Sequence, residues 1–181
     1  MPTPQHLPAR VLADALTLAV TPWAAHQERR ILREGRPLSA PEHAMAAELG
    51  VIRPDRVRIL HLDPIPAPVP PWMVRLARRC GLPVFEPTGM TLGHGIFATH
   101  QSMDLIRHEL HHVAQFERLG GIAPFLRRYL FECLTEGYAA APLEMEACGL
   151  IPLRGTRRLP SPSQRDGPYQ PRVHDPGSHT S

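Results

Sequence analysis

Hydrophobic positions recur at helical spacing from about Ala9 to Glu34. Leu12, Leu16, Ala19, Trp23 and Ile31 form the apolar stripe, and Gly35 ends it. Pro22 lies inside this pattern and lacks the amide hydrogen that the preceding turn needs, so a kink or split is expected there. Ser39, Pro41, Glu42 and Gly50 read as the cap, first turn and stop of a short helix over 41–49. The period then changes. "RVRILHL" alternates Val57, Ile59 and His61 with Arg56, Arg58 and Leu60, which predicts a strand. "DPIPAPVPP" lacks the donors for a regular ladder and predicts an extended connection. A short helix is expected over 71–80, stopped by Gly81. "PVFEP" and "GHGIFATH" predict two short strands around a turn at "TGMTLG".

Three helices complete the pattern, over about 102–119, 123–136 and 142–149, punctuated by Gly120-Gly121, Pro124 and Gly137. Trp23, Trp72, Phe125, Tyr129, Leu130 and Phe131 take core positions in this scheme, and Arg127 and Arg128 a solvated face. The sum is an α+β domain over residues 1–153, mostly helical with a small β-sheet. It has N-terminal helices over 1–50 and a core over 56–149. From 154 to 181 Pro, Ser, Gly and Arg alternate without apolar periodicity. Such a segment has too little apolar surface to offset the entropy of ordering, so a disordered tail is expected.

The composition supports a single soluble domain: 181 residues, 43% hydrophobic and 20% charged, are enough for a core without disulfides or structural metals. The uncharged stretch from Ala15 to Gln27 is about half of a membrane span and contains Pro22, so no transmembrane segment is expected. The net charge of +3 hints at nucleic acid, but its distribution removes the hint. Residues 1–149 balance 15 Arg with 15 Asp and Glu, while residues 150–181 hold five Arg and two acids. The folded part is therefore neutral, and no nucleic-acid partner is expected. All 20 cations are Arg, which coding bias explains better than phosphate recognition. Cys80, Cys133 and Cys148 are odd in number, widely spaced and free of any CxxC pair, which fits a reducing, cytoplasmic compartment.

The chemistry lies in the helix "DLIRHELHHVAQFERLG", which contains His108-Glu109-Leu110-His111-His112, an H-E-x-x-H. Histidines at i and i+4 project from consecutive turns of one face, so both imidazoles can reach one ion. Zn²⁺ takes such nitrogens at about 2.0–2.1 Å and leaves positions for a third ligand and a water. Glu109 then lies beside that water, whose pKa the metal lowers toward about 7, and can act as general base toward a carbonyl. With 11 His and 11 Glu in 181 residues, the pattern arises roughly 0.04 times in a shuffled chain. Ile106, Leu110, Val113 and Phe116 supply an apolar face to seat this helix. A solvated His-rich face is the competing interpretation. His111 reads as a supporting or surface residue, and Gln115, three residues past His112, as a solvated residue or a hydrogen-bonding partner in the site.

No third histidine follows His112 before His174, so a carboxylate must complete the set. In "GYAAAPLEMEACGL", Pro142 suits a first helical turn, placing Glu144 and Glu146 just after it. They are two residues apart and cannot both face one ion from a regular helix. Glu144 is preferred and Glu146 is the alternative.

His108-Glu109-x-x-His112 followed across another helix by Glu144-x-Glu146-Ala147 resembles the gluzincin branch of the zincin metallopeptidases. "HxxQ" and "GY…PLExEA" are similar to bacterial HExxH domains of peptidase type, and the resemblance covers roughly 56–149. It implies that Glu144, the first Glu of an E-x-x-A motif, is the third zinc ligand. It also implies an edge strand above the active-site helix that pairs with extended substrate, for which 93–100 is the candidate, with His94 a cleft or turn residue. The Tyr138 phenol becomes a candidate oxyanion stabiliser. One departure stands out: Cys148 occupies the place where an Asp or Asn often supports a ligand histidine. The implied activity is zinc-dependent hydrolysis of a peptide or protein substrate. A zinc-binding or interaction module that keeps the zincin fold without proteolysis is the alternative.

Overall fold

The computed structural model describes residues 6–68, 79 and 87–151. The helix expected over 71–80, nearly all of the strand expected at "PVFEP", Trp72, Cys80 and the tail from 154 lie outside them. The described residues form an α+β arrangement, mostly helical with one small mixed sheet. The elements in chain order are α1 (Leu7–Glu34), β1 (Arg36–Pro37), α2 (Ala40–Glu48), β2 (Arg58–His61) and β3 (Gly89–Leu92). Then follow β4 (Gly95–Ala98), α3 (Met103–Leu119), α4 (Ile122–Glu136) and α5 (Pro142–Ala147). Among the described residues, no helix is long and apolar enough to cross a membrane.

α1 runs unbroken through Pro22 for 28 residues, so the split expected there does not occur. Its buried stripe is Ala13, Thr17, Ala24 and Ile31 rather than the larger side chains beside it. Leu12, expected inside, is 48% exposed. Small residues let α4 approach α1 closely, and the Thr17 hydroxyl is satisfied within the helix by donating to the Ala13 carbonyl at 2.7 Å. α2 begins where expected. Glu42 Oε2 accepts from the Ser39 backbone N–H at 2.6 Å, and the same carboxylate pairs with Arg36.

The sheet order is β1-β2-β4-β3, with β2 and β4 parallel and the other neighbours antiparallel. Two expectations change here. Residues 89–92 of "TGMTLG" form a strand, and the reversal falls at Gly93-His94, with φ of 67° at Gly93. β4, expected at the edge, is interior, and among the described residues β3 and β1 are the two edges. Position β4 is buried throughout because helices cover both faces. Ile96 and Ala98 pack with Val57, Ile59, Met45, Leu105, Leu110 and Val113 on the α2–α3 side. Phe97 packs with Ala24, Ile31 and Ile65 on the α1 side. Gly95 allows this closeness: a Cβ there would stand 2.9 Å from Ile31 side-chain atoms. Each buried Ile or Phe in these layers contributes about 1.5–3 kcal/mol of transfer free energy.

Candidate metal centre

α3 is held between the sheet and the last two helices, and its sequence sorts accordingly. Leu105, Ile106, Leu110 and Val113 face the apolar layer. Its cap is Ser102, whose hydroxyl accepts from Leu105 N–H, and Gly120 ends it with φ of 88°. At about 100° per residue, His108, His112 and Gln115 share one stripe while Glu109 turns toward β3. All four are buried.

The stripe faces the first turn of α5. His108 Nε2 and His112 Nε2 lie 3.1 Å apart. Glu144 Oε2 is 3.4 Å from His108 Nε2, and Glu144 Oε1 is 3.4 Å from His112 Nε2. Ligands on a tetrahedral zinc at 2.0–2.1 Å are separated by about 3.3 Å, so the ring-to-ring distance and each ring-to-carboxylate distance suit neighbouring zinc corners, the two carboxylate distances being made by different oxygens; one ligand atom from each residue lies within 4.8 Å of the others. Two ring nitrogens aimed at each other, with a carboxylate alongside, also make a place for positive charge. Burial opposes charge on His108, yet Cys148, Glu144 and the Glu109 charge together push its pKa up to about 10. Burial likewise opposes the Glu144 anion, but hydrogen bonds from His108, His112 and Tyr129 hold it well below the usual carboxylate range. The donor set and its spacing fit a divalent cation such as zinc.

Glu144 owes its place to α4. Glu132 Oε2 accepts from the Leu143 backbone N–H at 2.8 Å, satisfying an otherwise free donor at the start of α5. Arg128 braces Glu132 at 2.7 Å, so it is not the plain solvated residue expected. Tyr129, expected only to pack, donates its hydroxyl to Glu144 Oε1 at 2.6 Å. Burial raises its pKa well above 10, and the Glu144 charge adds to this, so it remains a donor. Phe125 and Tyr129 set their rings edge-on against His112 at 6.0 and 6.1 Å. Phe125, Tyr129 and Glu132 follow i, i+4, i+7 spacing. Two polar tips on that stripe were the signal that it meets a polar site.

Glu109 stands beside this cluster. Its Oε2 accepts from the Thr91 hydroxyl of β3 at 2.6 Å, and burial raises its pKa. Gly89 of the same strand lies against its other oxygen, where a Cβ would come within 2.3 Å of Oε1. Glu146, the alternative ligand, is engaged elsewhere. It accepts from Arg118 at 3.0 and 2.7 Å and from Gln115 Nε2 at 2.9 Å. Gln115 is fully buried, and its Oε1 lies 2.8 Å from His112 Nδ1.

Cys148 Sγ takes the place beside His108 Nδ1 at 3.8 Å. His111 is buried rather than on the surface, and its pKa is lowered to about 4 by burial and then by the charges of His112 and His108. Tyr138 is half-buried in the short 3₁₀ turn between α4 and α5, near Tyr129; the phenol that reaches the cluster is Tyr129. His94 is buried away from this centre, bonded to Glu117 at 3.0 Å. No family model matches this chain, and no curated protein or solved structure gives a significant match.

Proposed function

We propose that this protein is a zinc-dependent peptidase of gluzincin type, with His108, His112 and Glu144 as ligands and Glu109 as general base. The observation that carries the reading is the buried cluster of two imidazole nitrogens 3.1 Å apart, each 3.4 Å from one oxygen of the Glu144 carboxylate. When bound, a zinc ion acidifies water and polarises a carbonyl. The chain's own residues do the rest. Tyr129 and the helix start built by Glu132 hold Glu144 toward the histidines. Thr91 holds the Glu109 carboxylate by one oxygen beside them, where it takes a proton from water and returns it to the departing amine. Tyr138 remains a candidate donor to the substrate oxyanion. The substrate is a peptide or protein strand, and β3 is the edge available to pair with it.

Glu109→Gln tests this. The variant is expected to keep one zinc per chain and the wild-type melting temperature while peptide hydrolysis falls by about 10²-fold or more. His112→Ala, as control, should lose the zinc. Hydrolysis undiminished in Glu109→Gln refutes the assignment. One observation favours a second reading: Glu109 is only 3% exposed, which suits a buried zinc that supports structure without turnover. Stoichiometric zinc with no cleavage across a peptide library would select that reading.

A further inference from the structure

Glu146 stands outside the ligand set proposed above. It sits two residues from Glu144 and is 4% exposed. Its partners connect it to the centre by another route. Arg118 grips both of its oxygens from α3, at 3.0 and 2.7 Å. Gln115 Nε2 donates to Glu146 Oε2 at 2.9 Å and to the Leu143 carbonyl at 2.9 Å.

Both of those partners are acceptors only, so the NH₂ end of the Gln115 amide must face them. The amide oxygen is thereby turned toward His112 Nδ1, 2.8 Å away. An amide oxygen cannot donate, so the proton between them belongs to Nδ1. A neutral His112 that carries its proton on Nδ1 presents a lone pair at Nε2, the atom that faces His108 and Glu144. Swapping the amide ends would aim the oxygen at a carboxylate and a carbonyl, leaving two buried acceptor–acceptor contacts.

Resting on the zinc reading above, we infer that Arg118, Glu146 and Gln115 form an orienting relay that sets the His112 tautomer and thereby its strength as a metal ligand. Glu146 is a positioning residue in this scheme and Glu144 the ligand. Two carboxylates two residues apart on α5 thus have separate tasks because successive side chains leave a helix about 100° apart. The relay crosses from α3 to α5 and back, so it also ties the ligand-bearing turn of α5 to the ligand-bearing helix.

The test uses the full-length protein and two readouts. Long-range ¹H–¹⁵N spectra of the zinc-free chain report whether His112 Nδ1 is protonated. Competition with a chromogenic chelator reports zinc affinity. Nδ1 should carry the proton in the wild type. Gln115→Leu should lose that preference and weaken zinc binding by about 10–100-fold. If Gln115→Leu does not fold, Arg118→Met makes the same test at a side chain that is 31% exposed, with a smaller loss of about 3–10-fold. A wild-type His112 protonated only at Nε2 overturns the inference, as does a folded Gln115→Leu that retains wild-type zinc affinity. If the wild type binds no zinc, the peptidase reading fails, and the Nδ1 spectrum still decides the orientation of the relay.

Discussion

Gly89→Ala perturbs the centre through a single methyl group. The new Cβ would stand 2.3 Å from Glu109 Oε1, 2.8 Å from its Cδ and 2.8 Å from Leu105 Cδ1. A flexible side chain at the surface would swing away at little cost. Glu109 cannot: it is 3% exposed, and its other oxygen is bonded to Thr91 at 2.6 Å. Either that bond breaks inside the protein or β3 lifts from α3. Overpacking of this kind costs roughly 1–3 kcal/mol, and the reduced freedom of the unfolded chain returns about 0.4–1 kcal/mol. A net loss of about 1.5 kcal/mol, at about 2–4 °C per kcal/mol for a chain of this size, lowers the melting temperature by about 3–6 °C. Calorimetry on Gly89→Ala, Glu109→Ala and the double variant isolates the contact. In the Glu109→Ala background the methyl should cost less than half as much, because only Leu105 still opposes it. An equal cost in both backgrounds would refute the claim that Gly89 exists to make room for the carboxylate.

Two further outcomes follow from the same geometry. Tyr129→Phe removes the 2.6 Å bond to Glu144 without changing the packing against Phe125, and should weaken zinc binding by about 3–10-fold in chelator competition; unchanged affinity would remove Tyr129 from the site. Glu28 and then Glu117 raise the His94 pKa above its ordinary 6.5, against burial and the charge of Arg56. A raised histidine contributes stability that is whole below pH 6.5 and lost as pH climbs through the folded value. Urea melts between pH 5.5 and 9 should therefore show stability falling on the alkaline side, and His94→Gln should flatten that slope. Parallel slopes for the two proteins would contradict it.

The sequence carried the helices and the central constellation well, because both depend on local spacing. The H-E-x-x-H could be read from i, i+4 geometry, and the starts of α2 and α5 from Ser39 and Pro142. What it did not carry depends on partners distant along the chain. Leu12 and Ala13 are equally compatible with a helical stripe. Only the close approach of α4 selects the small residue, leaving Leu12 exposed and Ala13 buried. The edge of the sheet was misread for a related reason. Gly95 looks like a turn or edge residue until Ile31 of α1 is seen to need its missing side chain. Tyr129 and Glu132 were hidden by their resemblance to core and surface residues of an amphipathic helix, and only the facing α5 gives them acceptor and donor.

The arrangement of these late helices explains why Glu144, the proposed third ligand, can lie so far along the chain from the histidines and still be held firmly. α5 has only six residues, too few to be stable alone, and it follows a 3₁₀ turn. It is fixed at four points by neighbours: Leu143 N–H on Glu132, the Leu143 carbonyl on Gln115, Glu144 on Tyr129, and Glu146 on Arg118. Two anchors come from α4 and two from α3. Each belongs to a helix packed by its own apolar face, so the polar contacts orient the short helix against firm supports. The three-helix ending is therefore one device. α3 supplies His108 and His112, α4 places Glu144, and Glu146 ties α5 to α3 through Arg118 and Gln115.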